Sequence, residues 1–216
     1  MCNSPVPLKK MENENLLNVL KTLFHLQSQI NLNIESLNEI EKHKKTLEKI
    51  KIENYFDNSM NLKISASGIL ANYSIILFCS FLEEYHNFFS LGHLKEVNKN
   101  KIIALKNKNK SGIKRINKWN GLVDFRNQLI AHNFRIKNES FFSQEKRIFE
   151  YKIPNTLSEK NLFSGIIYLI CLNIRDAFPE IISKIDFKEK MVDKLNLIGE
   201  NVDNEAELKI LFEKMK

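Results

Sequence analysis

Two side chains of chemically active type stand six residues apart in the stretch GLVDFRNQLIAHNFR: Arg126 and His132, with Asn127 beside the arginine. An arginine grips an oxyanion through two N–H groups, and a histidine takes or gives a proton near neutral pH. The surroundings make the arginine conspicuous. On a helical wheel started at Ile116, the side chains of Trp119, Leu122, Val123, Phe125, Leu129 and Ile130 fan over roughly half the circumference. Arg126 points into the middle of that fan and His132 lies at its edge. An uncompensated buried charge costs several kcal/mol, so the guanidinium needs a partner, water or a ligand.

The chain offers a partner in FLEEYHNFF. On the wheel of that earlier helix Glu84 falls between Tyr73, Leu77, Ser80 and Phe88, whereas Glu83 falls toward Asn72, Cys79 and His86. Packing of the two helices is therefore expected to set Glu84 against Arg126. Such a pair can serve only to fix helix register, with His132 a helix-end residue. His132 is displaced from Arg126 by about 9 Å of rise and about 120° of rotation, so the two are not natural neighbours on one helix. A long arginine can lean toward the histidine, or each can meet the other's copy across a symmetric interface.

Long stretches of helical spacing, with only six Gly and four Pro in 216 residues, predict an all-α fold. A helix, or two broken around Asn31–Asn33, is expected from about Asn13 to Ile52, and a second from Lys63 to Phe89 ending near Ser90-Leu91-Gly92. A lysine-rich segment with a break near Ser111-Gly112 follows, then the helix of the quoted stretch, about Ile113 to Phe134. Lys137–Asn155 reads as irregular, with an extended piece around Arg147–Ile153. Thr156 and Glu159 have capping-box spacing and open a helix to Phe178; Pro179 starts or kinks the next segment. Asn204 and Glu207 repeat that spacing before a last helix to Met215. The expected organisation is a loose tail (residues 1–12), a helical bundle of about four to five core helices (13–185) and a C-terminal helical extension (186–216).

The net charge of +7 is local. Between Lys95 and Lys118 stand nine bases (Lys95, Lys99, Lys101, Lys106, Lys108, Lys110, Lys114, Arg115, Lys118) against one acid, Glu96; the remainder holds 24 bases and 25 acids. A concentrated basic patch is the footprint expected for phosphate backbones; a solvated helix face is the plainer account. The N-terminus lacks the apolar core of a signal peptide. The apolar runs Ile69–Leu82 and Leu162–Leu172 read as buried helices rather than membrane spans, one carrying polar residues and the other being too short. Three cysteines without CxxC spacing, Cys2, Cys79 and Cys171, fit a reducing cytoplasm better than a disulfide framework or a zinc site. His25, His43, His86 and His93 have no ligand spacing, so no metal site is expected. Trp119, Phe125 and Phe134 read as core. No Gly-rich phosphate loop, nucleophile elbow or dinucleotide fingerprint is present.

Arg126-Asn127-Gln-Leu-Ile-Ala-His132 resembles the signature of the HEPN superfamily (higher eukaryote and prokaryote nucleotide-binding domains): an arginine, a polar residue, then a histidine late in a helix. FLEEYHNFF is similar to the preceding helix of several such families through Glu84. The flavour of FRNQLIAHNFR is closest to prokaryotic members linked to abortive infection and toxin–antitoxin systems. The clear likeness spans about Lys63 to Phe134. It implies a HEPN-like bundle acting as a homodimeric, cytoplasmic, metal-independent endoribonuclease that needs no cofactor, with RNA as substrate and any antitoxin a separate chain. It further implies that His132 is the general acid/base and Arg126 the phosphate clamp. Asn127 then orients phosphate or ring, and Glu84 and Asn133 support them. Lys106, Lys108, Lys110, Lys114, Arg115 and Lys118 become RNA-backbone contacts. The alternative expectation is a catalytically silent HEPN-like module that binds RNA, nucleotide or a protein partner.

Overall fold

The computed structural model describes residues 8–52, 60–90, 96–127, 135–136, 139–140 and 151–185. The protein is an all-α helical bundle. Its long helices are α1 (Leu8–Lys42), α3 (Leu62–Ser90), α4 (Glu96–Ile116) and α6 (Leu157–Ala177). Short helices α2 (Lys44–Leu47), α5 (Leu122–Phe125) and α7 (Pro179–Ile182) link or end them. Two-residue antiparallel ladders join β1 (Lys51–Ile52) to β2 (Met60–Asn61) and β3 (Arg135–Ile136) to β4 (Glu139–Ser140). The chain divides into two compact units, Met1–Ile182 and Ser183–Lys216. The bundle belongs to the first; the expected C-terminal extension lies outside the described residues.

Helix α1 is unbroken for 35 residues and takes in residues 8–12 of the expected tail. Its stripe of Leu16, Leu20, Leu23, Ile30, Ile34 and Leu37 is buried. Asn31–Asn33 do not interrupt it, because their amides have partners on the neighbouring helices. Ser74 of α3 donates to Asn33 Oδ1 at 2.6 Å, and Asn33 donates to the carbonyl of Leu70. Ser164 of α6 donates to Asn31 at 2.9 Å, and Asn38 pairs with Asn161. Satisfied amides are tolerated between helices where orphaned ones are not.

Asn61 caps α3 by accepting the Ile64 backbone N–H at 2.9 Å. This helix supplies the middle of the core: Phe78 stacks on Phe163 of α6 with centroids 4.0 Å apart, and Trp119 stacks on the other side of the same region at 5.4 Å. Leu62–Phe89 is also long and apolar enough to cross a membrane by length and composition; a third of its most apolar window is buried in the fold. Its outward line holds Ile69, which is 70% exposed, and Tyr73.

The structure moves the expected helix break. Helix α4 runs straight through Ser111-Gly112, and the chain turns instead at Asn117–Gly121 before α5. The two glycines exchange roles for a steric reason. A Cβ on Gly112 would come within 2.9 Å of Ile166 Cγ2, so that residue is small where α4 lies against α6. Gly121 donates its N–H to the Lys152 carbonyl at 3.0 Å, and a Cβ there would lie 2.8 Å from the Lys152 nitrogen. Gly121 is the docking point of the 151–155 segment. Gly68, in the exposed middle of α3, has nothing within 4 Å of a would-be Cβ.

Substitution of these glycines should therefore have opposite signs. Gly121→Ala is expected to lower stability by about 1–3 kcal/mol through backbone overpacking. Gly68→Ala should raise it by up to about 1 kcal/mol through helix propensity. Urea midpoints of the two variants against the parent protein measure both.

Candidate functional site

Helix α5 is set by what lies beneath it. Leu122 and Phe125 are buried, Phe125 meets Tyr151 edge-on at 5.6 Å, and Cys79 of α3 donates its thiol to the Leu122 carbonyl at 3.6 Å. Past Phe125 the backbone widens into a π-type turn that carries Arg126 and Asn127. A π turn places its side chains off the α-helical track.

Arg126 is 21% exposed, so it stands at the margin of the core and not within it. Its Nη1 pairs with Glu83 Oε1 at 2.5 Å, and its Nε donates to Asn127 Oδ1 at 3.1 Å. The carboxylate partner is thus Glu83, which the wheel set on the polar side of α3, and not Glu84. Glu84 instead lies 3.5 Å from the Asn87 amide. A wheel started at Ile116 treats the chain as one helix, whereas the turn at Asn117–Gly121 re-aims Leu122–Asn127. It places α5 over the side of α3 that bears Cys79 and Glu83. The proximity of Cys79 to Leu122, both beside the guanidinium, belongs to the same packing. His132 and Asn133 lie outside the described residues.

The basic segment is placed as expected for a surface. Lys106, Lys108, Lys110 and Lys114 are exposed on α4, whose buried side presents Leu105, Asn109 and Ile116 to the bundle. Lys108 reaches Asp176 of α6 at 4.0 Å. Arg115 lies over the Trp119 ring, 4.0 Å from its centroid, and Lys118 is exposed in the turn that follows. Among the described residues no acid pairs with Lys106, Lys110, Lys114 or Lys118. Trp119 is 5% exposed and belongs to the core, as read. Among the described residues no group of three His, Cys, Asp or Glu stands close enough to hold a metal ion.

Burial governs the two described cysteines. It pushes the Cys79 thiol from 9.0 up to about 11, against the opposing pull of Arg126, and the Cys171 thiol up to about 12. Thiolate is the reactive form, so both are unreactive in the fold. Their contribution to stability is full below pH 9 and is lost as pH rises through about 11 to 12, because the unfolded chain ionises first. In a Cys2→Ser background, native protein at pH 8 should show almost no fast alkylation by iodoacetamide, and two reactive thiols after denaturation. A fast-reacting thiol in the native protein contradicts this packing.

Compared with protein-family models, with curated proteins and with solved structures, the chain matches none of them.

Proposed function

We propose that this chain is a metal-independent endoribonuclease of the HEPN type, working as a homodimer and serving as a toxin or phage-defence effector. One observation carries the reading most of the way: among the described residues, Arg126 is oriented but not consumed. Glu83 takes Nη1 and Asn127 takes Nε, and among the described residues nothing engages Nη2. A guanidinium has five N–H donors, so an edge remains for an oxyanion. The motif Arg126-Asn127-x4-His132 supplies the chemistry. The 2′-hydroxyl attacks the adjacent phosphorus, the P–O5′ bond breaks, and the products are a 2′,3′-cyclic phosphate and a 5′-hydroxyl. His132 takes or gives the proton and Arg126 stabilises the charge that builds on the phosphoryl oxygens.

Ile69, Tyr73, Ile76, Ser80 and Glu83 follow one another at helical spacing along the outward line of α3. Apolar residues exposed along that line support a symmetric dimer that buries them and sets two Arg126 side chains in one groove. A catalytically silent RNA-binding module is the second reading, favoured by the Arg126–Glu83 ion pair, which is sufficient by itself to explain a charge at this position.

Purified protein incubated with RNA in EDTA separates the readings. Cleavage is expected to leave 2′,3′-cyclic ends and to fall at least about 100-fold in Arg126→Ala and His132→Ala. Glu83→Gln should retain measurable activity with a raised KM. Intact RNA in all cases overturns the enzyme. Ile69→Asp should shift the sedimentation profile from dimer to monomer and abolish cleavage while the circular dichroism of the fold persists.

A further inference from the structure

A cleft of about 440 Å³ opens beside the Gly121 turn, and Arg126 does not line it. Arg115 and Lys118 line it from the end of α4 and the turn beyond. Tyr151, Lys152 and Asn155 line it from the segment that Gly121 docks, and Glu159 from the start of α6. Three cations thus arrive from two separate stretches of chain and face one carboxylate. That carboxylate is already committed. Glu159 accepts the backbone N–H groups of Asn155 and Thr156, the Thr156 hydroxyl and, at 3.4 Å, the Trp119 indole N–H. Its oxygens are occupied by the walls, and three cations against one carboxylate leave the cleft positive on balance.

We propose that this cleft is a phosphodiester-binding subsite for single-stranded RNA, separate from Arg126. The inference rests on the reading of the chain as one that acts on RNA. Lys118 and Lys152 are both exposed at the mouth, and Lys106, Lys110 and Lys114 continue the positive surface along α4. Arg115 is held in place by the face of Trp119 and needs no acid to order it, so its N–H donors serve a phosphate with little loss of side-chain freedom. Trp119 itself is buried under Arg115, which rules it out as a platform for an incoming base. Recognition is therefore through the backbone and tolerant of sequence.

Trp119 is the only tryptophan in the chain and lines the cleft beneath Arg115, so its emission follows binding there without competing signals from other tryptophans. The full-length protein is titrated with a short 2′-O-methylated RNA, which binds but cannot be cut, following both tryptophan emission and the anisotropy of a label on the RNA. A saturable emission change is expected. Lys118→Ala and Lys152→Ala should each weaken binding about 3- to 10-fold and flatten the slope of log K against log salt by about 0.7, the loss of one single-strand phosphate contact. Lys21→Ala, an exposed lysine of α1, should do neither. If the parent protein binds RNA and both cleft variants match it, the subsite is overturned while the RNA reading stands. If the parent protein neither binds nor cleaves RNA, both fall. Binding of adenosine monophosphate as tightly as the oligonucleotide overturns the strand subsite in favour of a mononucleotide pocket.

Discussion

The carboxylate of Glu159 is the point on which the side of the bundle that carries Arg126 depends. It closes a capping box with Thr156, whose hydroxyl in turn accepts the Glu159 backbone N–H at 3.1 Å, and so starts α6. The same group holds the Asn155 backbone and the Trp119 indole. Thr156 and its neighbours keep it below the ordinary carboxylate value. One residue later, Lys160 is buried and gives its ammonium to the carbonyls of Pro154 and Asn155 at 2.6 and 3.0 Å. Adjacent residues of one helix turn thus tie down the 151–155 segment by opposite charges. On that segment Gly121 docks, on Gly121 depends α5, and on α5 depends the position of Arg126.

That order of dependence explains what was legible in the sequence. The bounds of α3 were readable because its apolar run is long and is framed by polar residues at both ends. The start of α6 was readable because a capping box is a local code, complete within four residues. The all-α class followed from spacing repeated over many turns. Glycine, by contrast, has two meanings that spacing cannot separate. At Gly112 it marks a close helix crossing, and at Gly121 it marks a turn pressed against another backbone. The residues that decide between them, Ile166 and Lys152, are distant in sequence. Asn31–Asn33 left one helix or two open for a related reason, since an asparagine reads as a breaker until its long-range partner is known.

The candidate site shows the same division. Arg126 stood out as a charge in an apolar stripe and Asn127 through the family likeness, and the need for a carboxylate followed from the cost of a bare charge. Which carboxylate was a question of rotation about an axis that the Asn117–Gly121 turn resets. The difference between Glu83 and Glu84 is about 100° on α3. It moves the ion pair from the core to its margin, where the Arg126 side chain is partly exposed.

The asparagines of α1 have a consequence of another kind. A long helix whose inner stripe is nearly all leucine and isoleucine has few directional contacts to set its alignment along its neighbours. Asn31, Asn33 and Asn38 meet Ser164, Ser74 and Asn161 at one setting only. They act as the teeth of a ratchet, converting a continuous glide of α1 along the bundle into a single seated position. They bear on which alignment α1 adopts more than on how much apolar surface it buries.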